Sequence, residues 1–137
     1  AWVQEAVEAG AKLLCGGKRE GAFYPPTILT DTTTSMKVFA EEIFGPVITI
    51  EPYDTFEEAV AGINNTRFGL QAGVFTSNSE EIKTAFENIE AGGVIINDVP
   101  TFRLDHMPYG GVKDSGQGRE GVRYAMLDML EPRLLVQ

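Results

Sequence analysis

The chain has 137 residues, which suits one domain, and its 43% hydrophobic and 23% charged residues are an ordinary globular balance. A net charge of −9 argues against a nucleic-acid partner, which would call for basic patches. No apolar run approaches the ~20 residues of a membrane span and no leader pattern is present, so no membrane partner is expected.

The chain opens at Ala1, without a methionine and inside a helical pattern, and we expect a piece of something longer. Trp2, Val3, Ala6, Val7 and Ala11 keep a helical period, with Gly10 as a stop. Leu13-Leu14-Cys15 is a short apolar run that turns at Gly16-Gly17. Ala22-Phe23-Tyr24 is its expected hairpin mate. Cys15 alone leaves no internal disulfide, which points to a reduced, cytoplasmic setting. The two leucines before it predict a buried, structural thiol rather than a nucleophile. Pro25-Pro26 forces an extended backbone into Thr27-Ile28-Leu29, and a helical turn or two is expected over residues 36–41.

Glu41-Glu42-Ile43-Phe44-Gly45-Pro46 then feeds the β-branched run Val47-Ile48-Thr49-Ile50, which reads as a strand. Glu42 and Phe44 therefore lie on a loop. A loop carboxylate accepts from hydroxyls and a neighbouring ring packs on a flat face, so the two are a candidate for a polar, planar ligand. The alternative is a solvated glutamate and a core phenylalanine.

Thr55 and Glu58 form a capping box, followed by Phe56, Ala59, Val60 and Ile63 on one helical face. Residues 72–76 are the next strand. Ser77 with Glu80 offers a second box, with Ile82, Ala85, Phe86 and Ile89 as the apolar face behind it. Val94-Ile95-Ile96-Asn97 is a third strand. The pattern predicts an α/β fold: a parallel βαβαβ sheet with flanking helices and right-handed crossovers. A long polar, glycine-rich loop follows. A last helix carries Val122, Ala125, Met126 and Met129, and Leu134-Leu135-Val136 reads as an extended strand that lacks a mate.

Gly116-Gln117-Gly118-Arg119-Glu120-Gly121 fits G-x-G-x-x-G, but a dinucleotide fold needs a strand just before it and a βαβ unit after it. These glycines read as shaping a loop. His106, the single histidine, makes a His-based metal site unexpected, and no metal is expected. Arg103 lies in the loop after the third strand, on the side where parallel sheets hold ligands. It either forks onto a carboxylate or phosphate or forms a surface pair with Asp105.

Glu41-Glu42-Ile43-Phe44-Gly45-Pro46-Val47 resembles a motif near the end of the catalytic domain of NAD(P)-dependent aldehyde dehydrogenases. Pro26 to Leu29, Asn65 to Leu70, Gly73 to Thr76, Ala91 to Asn97, and Pro108 to Gly116 with Gly118-Arg119-Glu120 are similar to the family's later segments. The resemblance implies a C-terminal part of such an enzyme, with residues 1–129 ending the catalytic domain and 130–137 forming an oligomerisation strand. It implies that Glu42 binds the ribose hydroxyls beside the nicotinamide of NAD or NADP and that Phe44 packs near the ring. Arg103 is similar to branches that take small, oxygenated or anionic aldehydes. The family's catalytic cysteine, general-base glutamate and cofactor domain would lie upstream. The implied partners are therefore a small aldehyde, the missing N-terminal part and further copies in a homo-oligomer, and the 137 residues alone should be inactive. A rival of another class stays open: a non-catalytic relic that binds subunits or a nucleotide.

Overall fold

The computed structural model describes residues 1–137. The chain divides into two compact units, Ala1–Tyr53 and Asp54–Gln137, each with its own core.

The first unit holds helix α1 (Trp2–Glu8), strands β1 (Lys12–Cys15) and β2 (Thr27–Thr30), helix α2 (Lys37–Ala40) and strand β3 (Val47–Thr49). Helix α1 ends just before Gly10, whose φ of 109° suits a residue without a β-carbon. The sheet order is β1-β2-β3, with β1 antiparallel and β3 parallel to β2. Leu29 at the centre of β2 is fully buried, against Ala6, Ala11, Met36 and Val38.

This pairing corrects the expected hairpin. The mate of β1 is β2, and residues 22–24 make no ladder with it. Glu20 and Phe23 instead exchange two backbone hydrogen bonds of 3.0 Å around a tight turn at Gly21. Pairing with β2 places Leu29 in the core, which the shorter hairpin would not do. It also explains Thr27, which is buried although polar. Its hydroxyl donates to the Pro25 carbonyl at 2.9 Å and accepts from the Gly17 N–H at 2.8 Å. Thr27 thus fastens the Gly16-Gly17 turn, where a β-carbon on Gly16 would stand 2.2 Å from the Pro26 carbonyl oxygen. Cys15 is exposed, not buried, because β1 is an edge strand exposed along its length.

The second unit holds α3 (Phe56–Asn64), β4 (Gln71–Val74), α4 (Ser79–Asn88), β5 (Gly93–Ile96) and α5 (Val122–Asp128). Strands β4 and β5 pair in parallel, Gln71 opposite Gly93 through Val74 opposite Ile96. The class is α/β as expected, but the three strands do not share one ladder: β3 pairs with β2, and β4 with β5. Thr55 caps α3 by accepting from the Glu58 N–H at 3.2 Å, while the Glu58 carboxylate reaches the N–H of Asp54 at 3.0 Å. The cap of α4 is Asn78 rather than Ser77, since its side-chain oxygen accepts from the Glu80 N–H at 3.0 Å. Ala85 and Ile89 bury their side chains in the core, yet Phe86, expected beside them, is 78% exposed.

The glycine-rich segment folds down on β4 and β5. The N–H groups of Gly92 and Val112 both donate to the Gly69 carbonyl, at 3.0 and 2.9 Å. Lys113, at φ 54°, reaches the carbonyls of Asn64 and Thr66 and pairs with Glu90 at 2.7 Å. Gly116, Gly118 and Gly121 all have positive φ and shape this loop.

Replacing Thr27 by valine keeps its shape but leaves the Gly17 donor and the Pro25 acceptor unmatched in a partly buried place. Urea unfolding of the intact protein should show a loss of about 1–3 kcal/mol. An unchanged midpoint would mean that the hydroxyl fastens nothing.

Candidate functional site

Three side chains are candidates: Glu42 and Phe44 in the first unit, and Arg103 in the second. Each unit's geometry stands by itself.

Residues 41–46 lie between α2 and β3 as two successive three-residue turns. The Gly45 N–H donates to the Ile43 carbonyl at 2.9 Å, and the Val47 N–H donates to the Gly45 carbonyl at 2.8 Å. Phe44 stands at the tip of the first turn, which is why its ring is 94% exposed rather than in the core. Glu42 is exposed as well. The loop is anchored from behind, where the Pro46 carbonyl accepts from the Thr27 N–H at 2.8 Å. Beside the ring lies an open cavity of about 370 Å³ lined by Trp2, Tyr24, Ile43, Phe44 and Pro46 among others. An acceptor-only carboxylate and an uncovered aromatic face, two residues apart on a fixed loop, fit a ligand with hydroxyl donors and a flat ring.

Arg103 does not pair with Asp105. Its guanidinium meets the Glu120 carboxylate at 2.9 Å and lies over the Tyr109 ring, 4.8 Å from the centroid. Tyr109 and Glu120 are themselves joined by two backbone hydrogen bonds, of 3.1 and 2.6 Å, that close the glycine-rich loop. The segment before Arg103 is held where Gln71, on β4, donates to the Phe102 carbonyl at 3.1 Å. The Arg103 side chain stays about half exposed, with donors left over after the single contact to Glu120. Next to this cluster a cavity of about 590 Å³ is lined by Tyr109, Gly110, Ser115, Arg119 and Glu120 among others.

Glu120, Tyr109 and Gln71 were not singled out from sequence. Glu120 falls inside a motif that was matched, so its position was visible, but its partner lies far off along the chain. His106 is exposed, and no three His, Cys, Asp or Glu side chains gather into a metal-ligating group. No helix is long and apolar enough to cross a membrane. Among the ionisable groups, Lys12 on β1 is pushed above its ordinary range, first by the hydrogen bond to Asp31 at 2.8 Å and then by that carboxylate's charge. That pair touches neither candidate residue of its unit.

The chain is 52% identical over 135 residues to a 3-sulfolactaldehyde dehydrogenase of Priestia aryabhattai, covering 98% of this chain and 28% of that protein. It is similar in structure to aldehyde dehydrogenase 21 from Physcomitrella patens in complex with the reaction product succinate. That match has a TM-score of 0.91 and 55% identity and covers 95% of this chain and 27% of that one. It is also similar to the glyceraldehyde-3-phosphate dehydrogenase GapN of Methanocaldococcus jannaschii complexed with NADP. There the TM-score is 0.86 and the identity 45%, over 93% of this chain and 28% of that one. The chain thus spans little more than a quarter of the proteins that it resembles. A model of the aldehyde dehydrogenase family matches residues 1–135, and the chain belongs to that family.

Proposed function

We propose that this chain is the C-terminal part of an NAD(P)-dependent aldehyde dehydrogenase that oxidises a short aldehyde with an anionic far end to the carboxylic acid. The observation that carries the reading is the family match along residues 1–135. When bound, NAD+ or NADP+ would supply the oxidant, accepting a hydride (one proton with two electrons) from the aldehyde carbon, with water supplying the second oxygen of the acid. Glu42 accepts from ribose hydroxyls and sets the orientation of the sugar. Phe44 covers a face of the neighbouring ring and keeps water from it. The nucleophile and base are assigned to the rest of the protein: the Cys15 thiol donates to the Pro26 carbonyl at 3.8 Å, a partner that is neither acid nor base. An unpaired thiol of this kind suits the reducing cytoplasm.

The anionic end rests on Arg103. Sulfolactaldehyde, succinate and glyceraldehyde 3-phosphate, named in the similar proteins, carry a sulfonate, a carboxylate and a phosphate. A guanidinium presents a planar fork to each of these groups. Oligomer formation is assigned to residues 130–137, where Leu134, Leu135 and Val136 are at least 80% exposed and belong to no strand. Apolar side chains on an unpaired strand edge recruit another strand. Pro132 removes one donor, which confines the pairing to the residues after it.

In the intact enzyme, Glu42→Gln keeps the shape but weakens a charge-assisted acceptor, for which about 1.5–3 kcal/mol is typical. Steady-state kinetics should show a raised KM for the cofactor together with a lower kcat, because the ring is placed less well. If both constants match the parent enzyme, Glu42 does not hold the ribose.

Arg103→Gln should raise KM for an anionic aldehyde by roughly 10- to 100-fold, the loss of one charged hydrogen bond, and leave a neutral aldehyde of equal length unaffected. Equal effects on the two substrates would refute the assignment.

Removing residues 132–137 from the intact enzyme should reduce the assembly mass seen by light scattering. A truncated enzyme of undiminished mass would show that the tail carries no subunit contact.

A further inference from the structure

We propose that Glu120 is a specificity-determining residue: it shares the Arg103 guanidinium with the anionic end of the substrate and sets how strongly that end is held. The inference rests on the anionic-aldehyde reading above and adds a competitor to it.

Three contacts fix Arg103. Gln71 holds the backbone just before it, Tyr109 lies under its plane, and Glu120 takes one terminal nitrogen at 2.9 Å. The backbone of Glu120 is held by its paired hydrogen bonds with Tyr109, which sets the base from which its carboxylate reaches Arg103. A guanidinium has five donors, and one contact to Glu120 leaves an edge open for a second carboxylate, sulfonate or phosphate. An anion arriving at that edge gains the arginine but sits near the Glu120 charge.

Two effects of Glu120 oppose each other. Holding the arginine in place lowers the ordering cost of binding. Its negative charge repels the incoming anion. The Tyr109 stack and the Gln71 tether supply orientation without charge, so the distinctive contribution of Glu120 is the repulsion. Glutamine at this position separates the two effects, because its amide oxygen still accepts from Arg103 while the charge is gone. A like charge some 6 Å away is felt by threefold to tenfold across a surface of this exposure.

The experiment measures KM for an anionic and for a neutral aldehyde of equal length in four forms of the intact enzyme: parent, Glu120→Gln, Arg103→Gln and the double variant. Glu120→Gln should lower the anionic-to-neutral KM ratio by roughly threefold to tenfold, most at low salt. In the Arg103→Gln background the same change should leave the ratio alone, so that the two substitutions are coupled. Glu120→Asp keeps the charge and should keep the parent ratio, which separates the charge from damage to the loop. If Arg103→Gln raises the ratio but Glu120→Gln does not lower it, the inference fails and the substrate reading stands. If Arg103→Gln itself leaves the ratio unchanged, the substrate reading fails and takes the inference with it.

Discussion

At Gly92 the backbone of the second unit meets the glycine-rich loop so closely that a β-carbon would lie 1.7 Å from the Gly110 carbonyl oxygen. No side chain fits that space. The approach is what lets Val112 share the Gly69 carbonyl with Gly92, adding the loop to the end of the β4–β5 pair. A second narrow place, where a β-carbon on Gly110 would lie 2.7 Å from the Gly118 carbonyl oxygen, folds the loop back on itself, and Arg119 closes it by donating to the Gly111 and Gly118 carbonyls. Tyr109 and Glu120 then stand opposite one another because the loop between them has been drawn shut. The geometry around Arg103 follows from glycines that make no contact with it.

The first unit is organised by polarity rather than by closeness. Its core is small, and its loops would be free to wander without the buried Thr27 hydroxyl and the Thr27 N–H, which reach two different loops. The hydroxyl ties the Gly16-Gly17 turn and the N–H ties Pro46. The loop that carries Glu42 and Phe44 is thus fastened to the best-buried strand of its unit. Both units leave large apolar side chains in solvent, among them Leu14, Ile48, Phe86 and Leu127. Such surfaces accord with the share of the similar proteins that the chain covers, since uncovered apolar faces mark places where something else packs.

Local signals were legible and distant ones were not. The Thr55 cap and the stop at Gly10 depend on residues a few positions apart and are found where the pattern puts them, while the strands expected at residues 72–76 and 94–97 are found one or two residues earlier, at 71–74 and 93–96. The partner of β1 was missed because two runs compete for it and burial of Leu29 decides between them, a fact about packing rather than spacing. Asn78 took the cap from Ser77 by one residue, within the blur that any helix start carries. Phe86 sits on the apolar stripe by period, yet the core built by α3, α4, β4 and β5 leaves it uncovered. Glu42 and Phe44 were legible as members of a motif, and Arg103 from its place in the loop after the third strand. The contacts of Arg103 were not, because loop closure joins it to Glu120 and no periodicity spans that separation.

A chain carrying −9 does not draw anions from a distance. Beyond about 8 Å at physiological salt the field of exposed charges is screened in any case. In the proposed function, recognition of an anionic end by this stretch would therefore act at contact, through one guanidinium and the groups around it. Lysine would serve poorly there. An ammonium is a strongly hydrated point charge on a flexible stem, whereas the arginine plane lies against Tyr109 and keeps an edge presented. Contact recognition of this kind is sensitive to the charge of the nearest neighbour, and in this unit that neighbour is the carboxylate delivered by the closed glycine loop. The close backbone approach at Gly92 and the charge beside Arg103 are in that sense two ends of one arrangement: the first sets where the loop lies, and the loop sets what the arginine faces.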